Sequence, residues 1–161
     1  MKRILLSTLI LLSLVGVSAG ESIVIRHVSE LIKPAEVIAR VTILSVQDTG
    51  AREGYSKIAY ARVTDSIKGL EEGSVLELEN DVANVTCPNV RYTEGEDVLL
   101  FAKRMPNGHY ETVYADAGKF LIVSESVSKQ PFSKDQSFSS ARAQIEREMK
   151  KLERKRVEAR T

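Results

Sequence analysis

An all-β domain, built as an antiparallel barrel or sandwich and followed by a C-terminal α-helix, is the fold class this sequence predicts. Three observations predict it. Six apolar runs between Val37 and Val123 are short and rich in β-branched residues; turn signals separate them; and the body between them holds almost no helical periodicity. From Ser124 the composition shifts to Ser, Lys, Gln and Pro131, and a charged stretch with helical spacing follows.

Before the strands comes an export signal. Met1-Lys2-Arg3 is followed by an apolar run from Ile4 to Val17, and Val17-Ser18-Ala19 supplies the small residues a signal peptidase reads, so cleavage is expected after Ala19. A bilayer span needs roughly 20 apolar residues, and Gly16, Ser18 and Gly20 shorten this one. The expected organisation is a signal peptide over 1–19, a barrel domain over 20–123, a linker over 124–138 and a basic helix over 139–161. The expected location is secreted or periplasmic, with no integral membrane segment after cleavage.

Ser29 to Pro34 reads as one helical turn, with Ser29 as cap and Pro34 as stop. In Val37 to Val46, Val37, Ala39, Val41 and Ile43 share one face, while Ile38, Leu44 and Val46 share the other, a pattern expected where a strand is buried over part of both faces. Gln47 to Gly54 is a hairpin loop. A second strand runs from about Ser56 to Ile67 and ends at Lys68-Gly69, where glycine supplies the positive φ of a turn. Val75 to Leu78 is a shorter third strand, and Asn80 to Gly95 a long connection. Strands resume at Val98 to Phe101, at Tyr110 to Tyr114 beyond the hairpin signal Asn107-Gly108, and at Lys119 to Val123. Ser139 or Ser140 then caps a helix running to about Arg160, with a narrow apolar stripe of Ile145, Met149, Leu152 and Val157.

Charge is polarised along the chain. From Ser139 onward eight basic residues stand against four acidic ones, which makes the tail about +4 and the body from Gly20 to Phe138 about −5. An acidic body without Trp does not suit nucleic acid, which wants basic grooves and stacking aromatics. Cys87 is the only cysteine, so no intrachain disulfide exists and stability must come from an ordinary core. Asn84-Val85-Thr86 matches the N-glycosylation acceptor pattern.

The residue types that carry catalysis are sparse. The mature chain offers His27 and His109 as bases, and both read as solvent-facing. There is no Gly-x-Ser-x-Gly elbow, no phosphate-binding Gly-x-x-x-x-Gly-Lys and no His-Glu-x-x-His. Glu94, Glu96 and Asp97 around Gly95 lack the alternation of a calcium loop, and Glu77 and Glu79, two apart on a strand, read as an outward face. The expectation is therefore no catalytic residue, no metal ligand and no cofactor.

Several of these blocks together resemble a known family. Ala35-Glu36-Val37-Ile38-Ala39-Arg40-Val41, Val63 through Ile67-Lys68-Gly69, the lone Cys87, and Gly95-Glu96-Asp97-Val98-Leu99-Leu100-Phe101 with Asn107-Gly108 beyond resemble the bacterial branch of the TIMP-like, or netrin-module-like, proteins. The resemblance covers roughly residues 29–123. It implies an OB-like five-stranded Greek-key barrel in an exported protein, with one of the six runs as a short flanking strand. Animal members that inhibit metalloproteinases present an N-terminal Cys-x-Cys to the catalytic zinc. Here the expected mature start is Gly20-Glu21-Ser22. The leading expectation is thus a non-catalytic binding module whose partner is another protein or a cell-surface polymer; the alternative is a zinc-metalloprotease inhibitor acting through the mature N-terminus.

Overall fold

Five strands close on themselves. In the computed structural model, which describes residues 25, 27–50, 55–82, 90–127 and 129–160, β1 (Val37–Asp48) and β2 (Tyr55–Lys68) form a long antiparallel hairpin. β3 (Val75–Val82) pairs antiparallel with β2, and β4 (Asp97–Arg104) returns to β1 from Val37↔Ala102 to Thr42↔Asp97. β5 (Tyr110–Thr112) lies between β4 and β3, antiparallel to the first and parallel to the second. The circuit β1-β2-β3-β5-β4-β1 is a closed, OB-like five-stranded Greek-key barrel.

The sixth run is the flanking strand. β6 (Lys119–Val123) pairs with the first half of β4, on the edge where β5 pairs with the second half. A 3₁₀ turn at Ala115–Gly118 separates β5 from β6, so one edge of β4 carries two successive partners. Gly118 is required there: a Cβ would lie 2.6 Å from the Val113 carbonyl oxygen and 2.9 Å from that of Phe101. Two-residue strands β7 (Ser126–Val127) and β8 (Gln136–Ser137) extend β6 outward. They lie within the segment expected as a linker, as does the buried Phe132.

Alternation divides the core in two. Val37, Ala39, Val41 and Ile43 of β1 point into the barrel with Val98, Leu100 and Ala102 of β4. The other faces of the same strands, Ile38, Leu99 and Phe101, are buried under α1 (Val28–Ile32) and α2 (Phe138–Glu158). The barrel face of β1 is buried from Val37 to Ile43, while on its outer face Ile38 is buried and Arg40, Thr42 and Leu44 are half-buried, and a register shift between Ile43 and Ser45 turns Val46 back toward the barrel cluster.

Element ends differ from expectation for local reasons. α1 begins one residue before Ser29, with His27 at its N-cap and no side-chain cap. β3 continues to Val82 because it pairs along β2 as far as Tyr55. β5 stops at Thr112, since Tyr114 adopts φ 51°. Gly69 has φ +92°, and a Cβ there would sit 2.2 Å from the Glu36 carbonyl oxygen, which makes the turn after β2 specific for glycine. α2 starts at Phe138, capped by Ser137, whose hydroxyl accepts from the Ser140 amide at 3.3 Å. The expected signal segment, the mature start at Gly20, Asn84 and Cys87 lie outside the described residues. No helix among the described residues is long and apolar enough to cross a membrane.

Candidate functional site

The barrel interior is filled by its own side chains. Leu76, Leu78, Ala59, Ala61 and Val63 meet the inward residues of β1 and β4, so a ligand meets the outside. One buried polar side chain organises the open end: Asn80 of β3 accepts from the Tyr92 amide at 3.2 Å and donates to the Tyr92 carbonyl at 3.4 Å. Asn80 thereby holds the segment before β4 as a strand neighbour would. The Tyr92 hydroxyl lies 2.5 Å from Thr112 Oγ1, and complete burial raises its pKa above the ordinary tyrosine value.

β6 builds an open apolar surface. Phe120 and Ile122 point into the outer cluster, which leaves Leu121 and Val123 on the solvent side of the same strand, 48% and 66% exposed. With Val90 and Ser126 they floor a groove of about 470 Å3 whose walls are Arg91, Asp116, Lys119 and Lys129. The two lysines are fixed in place. Lys119 Nζ donates to the Arg91 carbonyl and to Glu96 Oε2 at 2.5 Å, and lies 4.7 Å from the centre of the Tyr92 ring. Lys129 Nζ donates to the Asp116 carbonyl at 2.5 Å, pairs with its carboxylate at 3.3 Å, and stands 5.8 Å from the Phe120 ring centre. An apolar floor beside positioned cations can take an apolar side chain and a carboxylate together.

A second set of charges locks the helix to the barrel. On the outer face of β1, Arg40 holds Asp97 at 2.5 Å and Glu125 at 2.6 Å, with its guanidinium 5.1 Å from the Phe138 ring centre. Hydrogen bonds to Asp97 and then Glu125 raise the Arg40 pKa, and Arg40 lowers that of Glu125. Arg142 of α2 reaches Glu146 at 3.0 Å and also Asp65 of β2; the bond to Glu146 is the main reason its pKa is raised. These shifts belong to ion pairs that join elements of the framework.

The residues weighed for chemistry in the sequence are dispersed. His27 is exposed at the start of α1. His109 is not solvent-facing as expected: its side chain is 17% exposed and Nε2 lies 3.0 Å from Glu77. Glu79 accepts from Asn107 Nδ2 at 3.0 Å, so the outward carboxylates of β3 tie down the β4–β5 hairpin. Glu96 and Asp97 are engaged by Lys119 and Arg40. Among the described residues no group of three or more His, Cys, Asp or Glu is placed to hold a metal ion. Neither Asn80 nor Arg40 has a role that the sequence predicts: a charge between the apolar Ala39 and Val41 is a signal for Arg40, whereas Asn80 stands between Glu79 and Asp81 and carries none.

Barrel and groove define the molecule as an OB-like barrel with an external amphipathic surface. Comparison with protein-family models, curated proteins and solved structures gives no match.

Proposed function

We propose that the chain is an exported, non-catalytic binding module that engages another protein through the groove over β6. The observation that carries this reading is the exposure of Leu121 and Val123 beside Arg91, Lys119 and Lys129. Adjacent exposed apolar side chains beside charged ones are typical of a contact surface. The partner segment presents apolar side chains together with Asp or Glu. Leu121→Glu with Val123→Glu tests it by pull-down from the exported fraction of the source cells. Capture of a partner by the wild type and its loss in the double variant, with an unchanged circular dichroism spectrum, is the expected outcome; equal capture by both sinks it, as does turnover of a substrate.

A second reading, inhibition of a zinc metalloprotease through an N-terminus at Gly20, draws support from Ile25. That side chain is 7% exposed within the outer cluster, so the chain is anchored to the barrel wall five residues after the expected start. Inhibition of a zinc-protease panel by the processed chain, abolished by one added N-terminal residue, is its signature.

A further inference from the structure

α2 is half docked and half free. Phe138, Ala141 and Ile145 are buried, and Met149 and Leu152 pack against the same cluster, whereas every residue from Glu153 to Arg160 is exposed. Ile145 and Arg154 are nine residues apart, half a revolution beyond whole turns, so Arg154 faces away from the barrel. Arg147, Lys150, Lys151 and Arg154 follow the spacing i, i+3, i+4, i+7, which gathers them on one face. All four are exposed, and Lys151 pairs with Glu148 at 2.6 Å.

From this face we infer a peripheral contact with an anionic phospholipid surface, separate from the groove over β6. Charge complementarity and shape carry the inference. The four cations lie on one face of a single helix within about 10 Å along its axis, an array that meets a plane of headgroups at once. The helix, about 10 Å across, holds the acidic barrel behind it at about the screening length of physiological salt. The apolar stripe of α2 is spent on its own barrel as far as Leu152, and Val157 alone of that stripe stays exposed, so the contact is mainly electrostatic and depends steeply on salt and on lipid charge.

Co-sedimentation of the full chain with vesicles tests this, and the apolar run of residues 4–17 is common to every arm. The comparison is between phosphatidylcholine vesicles and vesicles with about one third phosphatidylglycerol, at about 50 mM and about 500 mM salt. Wild type should favour the anionic vesicles at low salt and lose that preference at high salt. Arg147→Glu with Arg154→Glu should cut the preference by about 30-fold or more, with an unchanged melting temperature because both residues are exposed. An equal preference in the double variant overturns the inference. So does the absence of any preference in the wild type, or a tighter affinity for an acidic polysaccharide or RNA than for the anionic vesicles at matched charge. The Leu121→Glu and Val123→Glu variant should bind vesicles as wild type does, which separates failure of this surface from failure of the groove.

Discussion

The two faces of β4 enclose very different cores. Toward the barrel lie Val98, Leu100 and Ala102, among Ala39, Ala59 and Ala61, with Tyr92 at the end. Toward the helices lie Leu99 and Phe101, and all four phenylalanines of the chain, Phe101, Phe120, Phe132 and Phe138, belong to that side. A five-stranded barrel is narrow, so alanine at facing positions lets the walls approach. Bulk that the interior cannot hold is placed outside, where Phe120 meets Phe101 and Phe132 edge-on with centroids 5.8 Å and 5.0 Å apart. The barrel supplies closure, and the outer layer supplies large apolar area.

Removing the outer layer's cover should have the largest effect. Deletion from Ser139 onward strips Ala141 and Ile145 from the cluster and should lower the melting temperature by about 10 °C or more. Truncation after Leu152, which removes a segment whose described residues 153–160 are all exposed, should shift it by less than about 2 °C. Equal shifts would erase the distinction between docked and free halves of α2.

Single substitutions probe the two sides directly. Phe101→Ala should cost about 3–5 kcal/mol in denaturant unfolding through the cavity it leaves. Ala61→Leu, at a fully buried interior position, should cost about 1–3 kcal/mol by overfilling. A neutral Ala61→Leu would mean that the barrel has room, and the contrast would fail.

Smaller effects sharpen the boundary between barrel and solvent. Tyr92→Phe loses the bond to Thr112 and should cost about 1 kcal/mol at neutral pH. The folded Tyr92 phenol titrates above its ordinary value of 10.0, so the folded chain keeps this proton where the unfolded chain releases it. Its contribution is complete below pH 10 and declines as the pH rises further; Tyr92→Phe should flatten that alkaline loss in melts recorded from about pH 9 to 12. The smallest change belongs to Glu125, whose pKa lies below its ordinary 4.5 because of Arg40. Its contribution is present above pH 4.5 and fades as the pH falls, so Glu125→Gln should reduce the acid dependence of the melt. An unchanged profile would remove Glu125 from the set of groups that hold α2 in place.

Much of this fold was legible in the sequence because alternation is a local signal. Val37 to Val46 declared burial over part of both faces, and Asn107-Gly108 declared its hairpin; Gly108 takes φ +92° and the Met105 amide donates to the His109 carbonyl at 2.8 Å. What stayed hidden depends on distant partners. The sequence predicts Ser139 or Ser140 as the cap of α2, and the cap is Ser137 because β8 fixes where the strand ends. The groove over β6 was invisible for a similar reason: Leu121 and Val123 read like any strand residues, and their side is exposed on a strand that lies outside the closed circuit of β1 to β5.

Closure of the barrel has an uneven circumference. Six residue pairs join β1 to β4, whereas β3 meets β5 at a single parallel pair, Leu78 with Tyr110. The barrel is thus a curled sheet buttoned at one point. Amide exchange should begin along that seam, with the backbone of β5 trading its hydrogens for deuterium well before the middle of β1 does.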